Sequence, residues 1–165
     1  MMYPNHVAKS QGKRICAGVL LLGLICLSAC QSMAIYQTER QLVQECDITP
    51  AGEFCSEGGP SAAEIISVES GEDYERVFFQ NEVWILPALA EGQEFFQGVK
   101  EQSTTRAPGP CTSTLRKELS VGYDGFFLNG ELEVHTRVEG PPACGETPRG
   151  TRRKYILTGQ ATNSI

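Results

Sequence analysis

Histidine is scarce in this sequence: it occurs twice in 165 residues, and only His135 follows residue 30. An imidazole-based triad or zinc site in that part of the chain would have to use this one residue. The sequence also lacks a G-x-S-x-G elbow, an H-E-x-x-H pair and a phosphate-binding glycine loop. We therefore predict that the protein is not an enzyme and that it holds no metal and no other cofactor.

No acidic residue precedes Glu39, and residues 1–14 carry three basic ones. Residues 15–29 are all apolar or small, and a helix of that length rises only about 22 Å. A lipid hydrocarbon core is about 30 Å thick, so this run is too short for an ordinary membrane span. A basic start before a short apolar run is typical of a secretory signal peptide, which we assign to residues 1–29.

The apolar run ends in Leu27-Ser28-Ala29-Cys30, and polar residues follow at once. This segment resembles the lipobox of bacterial lipoproteins, in which a lipid is attached to the cysteine and a peptidase cleaves just before it. The resemblance, which covers residues 1–30, implies that Cys30 is the lipidated first residue of the mature chain. Gln31 replaces the aspartate that would favour the inner membrane, so the resemblance implies the outer membrane, with the domain facing the periplasm. Plain secretion, with Cys30 as an ordinary thiol, is the alternative.

The 136 residues from Cys30 onward are enough for one domain with a modest core. All 20 acidic residues but only 11 of the 14 basic residues lie in this part, which leaves a net charge of −9. Nucleic-acid-binding domains need a basic surface, so this charge argues against a nucleic-acid partner. We assign residues 30–62 to the lipidated N-terminus, a tether and a disulfide loop, and residues 63–165 to a β domain.

Four cysteines remain beyond the lipobox: Cys46, Cys55, Cys111 and Cys144. An even number in an exported chain indicates two disulfides, although the sequence allows three pairings. We favour Cys46–Cys55 and Cys111–Cys144, because neither loop then crosses the other and the second pair lies at the open ends of a predicted hairpin. None of the four belongs to a C-x-x-C pair, so the spacing does not match structural zinc.

Short apolar runs separated by turn residues dominate the sequence from residue 64 onward. Alternation is clearest in residues 131–139, which we pair with a last strand at 151–162. About seven such runs predict an all-β fold, either a small antiparallel sandwich or a barrel, stapled by disulfides. Residues 31–45 lack glycine and proline and are predicted to form a tether or a short helix, and residues 46–62 a loop.

Two turn signals, Asp124-Gly125 and Asn129-Gly130, stand close together within this pattern. Both dipeptides favour tight hairpin turns because glycine accepts a positive φ. Only three residues separate them, so one is predicted to form the hairpin and the other a bulge. In the preceding run, residues 113–123, Lys117 interrupts an otherwise apolar face.

The best catalytic candidate is the polar face of the alternating strand, formed by Glu131, Glu133, His135 and Arg137. Carboxylates two residues apart on one face of a strand are separated by about 7 Å, a distance that acid–base catalysis can use. Alternation alone also produces such a face on any amphipathic strand. We prefer that interpretation, which makes the four side chains ordinary solvent-facing residues.

A second candidate is the basic cluster of Arg149, Arg152, Arg153 and Lys154. Such a cluster suits an anion, for example a phosphate, a cell-wall carboxylate or a lipid headgroup. Charges on an edge strand also discourage edge-to-edge aggregation, and we prefer that role for these four residues.

Aromatic side chains form the third group of candidates. Adjacent aromatic residues in a strand point to opposite faces, so one member of each pair is expected in the core. The other is expected either under a second layer, in a ligand pocket or at a contact surface. The residues are Phe78, Phe79, Trp84, Phe95, Phe96, Phe126 and Phe127.

These features favour a lipid-anchored, non-enzymatic envelope protein that binds or scaffolds another envelope component, either a protein or the cell wall. The alternative is a lipocalin-like carrier of a small apolar ligand, and a hydrolase ranks last. A carrier needs a closed barrel with an apolar cavity of a few hundred Å³. A scaffold needs an exposed apolar patch instead.

Overall fold

A computed structural model describes residues 33–106 and 110–162 of the chain. The predicted signal peptide and Cys30 lie outside these residues. The described part consists of nine strands and one short 3-10 turn, Pro142–Cys144. The strands are β1 (Met33–Thr49), β2 (Gly52–Glu57), β3 (Ser61–Ser70), β4 (Tyr74–Phe79), β5 (Glu82–Pro87), β6 (Phe96–Arg106), β7 (Cys111–Tyr123), β8 (Phe127–Glu139) and β9 (Arg149–Ala161).

The strands form one antiparallel sheet in the order β5-β4-β3-β1-β9-β8-β7-β6. The sheet curls until its two ends, β5 and β6, meet through side chains, which gives a nearly closed barrel. The short strand β2 pairs with the C-terminal part of β1, beyond the point where β3 leaves it. The predicted all-β antiparallel fold is confirmed, and the pairing of residues 131–139 with the last strand is confirmed as well.

The prediction of a tether or helix at residues 31–45 and a loop at 46–62 is wrong. Residues 33–49 form β1, the longest strand, and most of the remainder forms β2 and the start of β3. Tyr36 and Thr38 are buried while their neighbours in the sequence are exposed, so the period in this segment is two. The sheet domain therefore includes residues 33–62, which accounts for the two strands beyond the predicted seven.

Both favoured disulfides are confirmed. Cys46 and Cys55 are directly opposite each other on β1 and β2 and are bonded. Cys111 begins β7 and is bonded to Cys144, which ends the 3-10 turn after β8. Each bond ties a strand end at the side of the barrel away from Met33, where the hairpin β1–β2 and the long loop after β8 lie.

The buried core inside the barrel is formed by side chains from seven of the nine strands. Alternate residues point inward along each strand, so Leu119 and Val121 of β7 and Leu132 of β8 are buried as the alternation predicts. The core comprises Tyr36, Ile66, Val68, Val77, Phe79, Trp84, Leu86, Leu119, Val121, Leu128, Leu132 and Leu157.

The two glycine-containing turn signals have different outcomes. Residues 124–126 form the hairpin turn between β7 and β8, as predicted for one of them. Asn129-Gly130 lies inside β8 with an unbroken register to both neighbours, so the predicted bulge is wrong. Close packing explains the glycine at position 130 instead, because a Cβ there would lie 2.5 Å from the backbone oxygen of Ser120.

Candidate functional site

The polar face of β8 lies on the outer wall of the barrel. His135 Nε2 is 3.2 Å from Glu133 Oε2, and Glu131 Oε2 is 2.8 Å from Lys154 Nζ. Hydrogen bonding to Glu131 raises the pKa of the Lys154 ammonium. Arg137 pairs with Glu139 of its own strand at 2.7 Å. These residues therefore lie together on a solvent-accessible surface among neighbouring charges, which is the arrangement expected of an amphipathic strand. A catalytic role for them stays a prediction.

The basic cluster sits on β9, between β1 and β8, so the predicted edge-protecting role is wrong: β9 has a partner strand on each side. Arg152 Nη2 is 3.0 Å from Glu53 Oε1, and Arg153 Nε is 2.6 Å from Glu45 Oε1. Together with Lys154, three of the four cations therefore have a carboxylate partner. The anion-binding prediction for the cluster, including Arg149, stays a prediction.

Lys117 interrupts the apolar face of β7 because it closes the gap between β5 and β6. Its Nζ donates a hydrogen bond to Glu82, which also accepts one from Lys100 Nζ at 3.4 Å. Burial of Glu82 by itself raises its pKa, but the two ammonium groups outweigh burial and lower it. Lys100 Nζ also lies 4.7 Å from the centroid of the Trp84 ring. We call this group of contacts, made by Glu82, Trp84, Lys100 and Lys117, the seam.

Gly98 allows the seam to close. A Cβ at this position of β6 would lie 2.5 Å from Leu86 Cδ2 and 3.5 Å from a ring carbon of Trp84. The missing side chain lets the two large residues of β5 cover β6 directly. Because no backbone ladder joins β5 to β6 among the described residues, side chains alone hold this side of the barrel.

An apolar surface covers the outside of β1, β3, β4 and β5. We call it the apolar wall and define it as Ile35, Ile65, Phe78, Val83 and Ile85. Four of these are large and exposed, from 40% for Ile35 to 67% for Ile85, and Phe78 is half-buried. The register places Ile35, Ser67, Phe78 and Val83 in one row across the four strands.

An open groove of about 620 Å³ lies along one side of the apolar wall, where Glu64, Ser67 and Glu82 also line it. Ile65, Phe78 and Val83 line it, together with the β4–β5 turn. In that turn Gln80 and Asn81 both have positive φ, 52° and 60°, which matches the two-residue turns that follow the twist of a hairpin. The groove is therefore fixed on one side by a tight turn and on the other by β3.

Sequence reasoning assigned four of the five apolar-wall residues to strands, and Ile35 to the predicted tether or helix, without finding that they are exposed. The run Val83-Trp84-Ile85-Leu86 is apolar at every position, a pattern typical of a strand covered on both faces. In the structure Trp84 and Leu86 are buried, whereas Val83 and Ile85 are not. The signal that identifies the surface is the absence of alternation in a strand of an antiparallel sheet.

The aromatic pairs divide as predicted in two cases out of three. Phe79 is buried beside half-buried Phe78, and Phe96 packs against the core while Phe95 is exposed. In the third pair both rings are exposed, Phe126 at 74% and Phe127 at 52%, so the expectation of one core ring is wrong there. Phe126 belongs to the turn, and the inward position that follows is taken by Leu128.

A carboxylate oxygen of Glu53 lies near the sulfur atoms of Cys46 and Cys55, in the one cluster of metal-ligand side chains found among residues 33–106 and 110–162. Both sulfurs are bonded to each other. A metal needs the thiolate form, so the disulfide removes these two ligands.

The comparisons with known proteins add no relative. No protein-family model matches the chain, and no curated protein sequence matches it. Within the described residues, no helix has the length and hydrophobicity that crossing a membrane requires.

Two tyrosines, the buried Tyr36 and the half-buried Tyr123, predict a loss of stability at alkaline pH. Burial raises the pKa of both Tyr36 and Tyr123 above the ordinary value of 10.0. Tyr36 Oη donates a 2.6 Å hydrogen bond to the Asp124 carbonyl oxygen, and Tyr123 Oη lies 3.2 Å from Ser70 Oγ. The folded state favours the neutral phenols more strongly than the unfolded state does. Their contribution to the free energy of unfolding is therefore complete below pH 10 and declines above it.

Chemical denaturation at about pH 8 and about pH 11 measures this effect, because the two values bracket the ordinary tyrosine pKa. The wild-type free energy of unfolding is expected to fall between them by more than that of a Tyr123→Phe variant. Tyr74→Phe supplies the matched control, since Tyr74 is half-buried and stands at an outward position of β4, which alternates with buried Val77 and Phe79. An equal fall in all three proteins would contradict the assignment.

Proposed function

We propose that this protein is a lipid-anchored lipoprotein of a bacterial cell envelope, attached to the outer membrane with its domain in the periplasm. In this proposal its barrel is not an enzyme but binds another envelope protein through the apolar wall. The observation that supports the binding role is the apolar wall itself, in which four large apolar side chains are exposed and a fifth, Phe78, is half-buried beside a groove.

The anchor is supported by the sequence of residues 1–30 and by the start of the folded domain. If Cys30 carries the lipid, only two residues separate it from Met33, where β1 begins. Three extended residues reach at most about 11 Å, so the barrel is held directly at the membrane surface. Confinement of this kind raises the effective concentration of the domain toward its neighbours, so modest contacts are sufficient for binding.

The apolar wall supports a protein partner. Monomeric soluble proteins rarely expose a contiguous apolar surface of several large side chains unless it is a contact site. The partner would present apolar side chains to Phe78, Val83 and Ile85. Filling of the barrel interior by core side chains favours this scaffold over the carrier of an apolar ligand.

A photo-crosslinking amino acid at Ile85, in the full-length protein expressed in its native host, tests the proposal. We expect one discrete adduct with an envelope protein, formed about tenfold more than from the same label at Val99, because contact energy concentrates in a few central residues. Val99 is the matched control, since it is 57% exposed on the outer face of β6. A Val83→Asp substitution in the labelled protein is expected to abolish the adduct.

Two results would overturn the proposal, each in a different part. Equal crosslinking from Ile85 and Val99 would remove the binding role of the apolar wall. An N-terminal peptide that retains the leader, or that begins at a residue other than an acylated Cys30, would remove the anchor. Mass spectrometry of the same preparation provides the second readout.

A further inference from the structure

The end of the barrel where β1 begins carries an unusual number of exposed apolar side chains. We call it the anchor end; it comprises the start of β1, loops 71–73 and 88–95, and turn 124–126. We propose that this end rests on the lipid surface, with Phe126 and Phe127 inserted among the headgroups. The proposal deepens the proposed function and rests on lipidation of Cys30. The exposed side chains are Met33, Leu89, Phe95, Phe126 and Phe127.

The first argument for this orientation is the position of Phe126 relative to the start of β1. The Phe126 carbonyl oxygen accepts a 2.8 Å hydrogen bond from the backbone N–H of Ala161, and Ala161 is paired with Tyr36. Phe126 is thus joined through a single strand to a residue only three positions beyond Met33. Since the lipidated cysteine can be at most about 11 Å from Met33, the two phenylalanines lie where the tether brings the membrane.

The turn that carries the phenylalanines has most of its backbone groups paired within the protein. Asp124 Oδ1 accepts hydrogen bonds of 2.7 Å from the N–H groups of both Phe126 and Phe127. The Asp124 N–H donates to the Phe127 carbonyl at 2.9 Å, and the Asp124 carbonyl accepts from Tyr36. The backbone N–H and carbonyl groups of Asp124 and Phe126 are thus paired within the protein, which lowers the cost of moving this turn out of water while its two rings stay exposed.

Charge at the anchor end selects the kind of lipid surface. Loops 71–73 and 88–95 and turn 124–126 carry five carboxylates and no lysine or arginine. Anionic headgroups would repel this end, whereas a zwitterionic surface would not. Aromatic side chains insert favourably at headgroup depth, where the ring is removed from water. The geometry therefore points to a zwitterionic phospholipid surface rather than an anionic one.

Fluorescence quenching by brominated lipid tests the orientation. The full chain carrying Phe126→Trp is purified from a bacterial host and reconstituted into phosphatidylcholine vesicles with acyl chains brominated near the headgroup. Phe54→Trp is the matched control: Phe54 is 61% exposed and pairs with Asp47, fourteen residues along β1 from Met33, or about 45 Å in an extended strand. The native Trp84 is buried and gives the same background in both variants.

We expect bromine to reduce the additional emission of the Phe126→Trp variant about twofold or more, because an inserted side chain lies within several Å of the quencher. The Phe54→Trp emission is expected to stay unchanged. Adding phosphatidylglycerol to the vesicles should weaken the quenching, since it makes the surface anionic.

Equal quenching of the two variants in an acylated sample would overturn the orientation while leaving the anchor intact. Burial of the introduced tryptophan against a second copy of the chain would protect it from bromine, and this result would also overturn the proposed orientation. Intact-mass measurement on the same sample reports acylation separately. A mass without acyl chains would remove the anchor itself, and the two failures are therefore distinguishable.

Discussion

Replacing Cys111 and Cys144 together by serine is expected to lower the free energy of unfolding by about 4 kcal/mol. The bond closes a loop of 33 residues, and in the chain-entropy model its loss frees the unfolded chain by about that amount. Domains of this size are stable by only about 5–15 kcal/mol, so the loss is a large fraction of the total. Urea unfolding of the wild-type and variant proteins at neutral pH measures it.

The matched control is the double serine variant at Cys46 and Cys55. That bond spans nine residues, for which the same model gives about 3 kcal/mol. It also joins strands that are already neighbours in the sheet. A loss at the shorter bond that clearly exceeds the loss at the longer one would show that native-state contacts, rather than chain entropy, dominate.

Trp84→Ala is expected to destabilise the barrel by about 3–5 kcal/mol, the usual range for truncating a buried tryptophan. Trp84 is 2% exposed and lies at the seam, where it packs beside Gly98 and below Lys100. Because side chains alone join β5 to β6, the cavity also removes the contact that closes the barrel. Denaturant unfolding gives the energy, and amide hydrogen exchange is expected to accelerate in β5 and β6 before other strands.

Ile85→Ala is the matched control for the seam, because Ile85 is the next residue of the same strand and points outward at 67% exposure. Its truncation is expected to cost about 0.5 kcal/mol or less, as for other exposed positions. A Trp84 variant that is no less stable than the Ile85 variant, or uniform exchange across all strands, would refute the role of the seam.

The amino-acid sequence was sufficient to predict the structure where the local residue pattern agrees with the global fold. Alternation in residues 131–139 reproduces the inward and outward faces of β8, because every second residue must face the core. The disulfide pairing also followed from order along the chain, since Cys111 and Cys144 lie at the open ends of one hairpin. In both cases the information lies within a few tens of residues.

Other features depend on contacts that local pattern does not encode. Ile35 and Leu42 lie seven residues apart, a spacing that fits one face of a helix, but the tertiary pairing of β1 with β3 and β9 overrides it. Lys117 looked like an interruption because its partner Glu82 is distant in sequence. To predict that Val83 and Ile85 are exposed, one must know that no second layer covers β5 within the described part of the chain.

The Gln80-Asn81 turn shows the limit for hairpin signals. Asparagine followed by glycine is the usual indication of a turn with positive φ, and here a glutamine takes the first such position. The two strands that it joins are in register from Phe79 and Glu82 to Tyr74 and Pro87. Cross-strand pairing therefore imposes the conformation on a residue that disfavours it, which local sequence does not reveal.

The length of β1 sets how far the protein projects from its attachment. The strand has 17 residues and, extended, spans at most about 55 Å from Met33 to Thr49. If Cys30 is lipidated as proposed, Met33 lies close to the bilayer, and the hairpin β1–β2 at the opposite end of the strand can stand several nanometres away from the lipid. In that proposal Phe54 and Cys55, which lie on β2 and pair with the far part of β1, would face the layer of the envelope beyond the membrane surface.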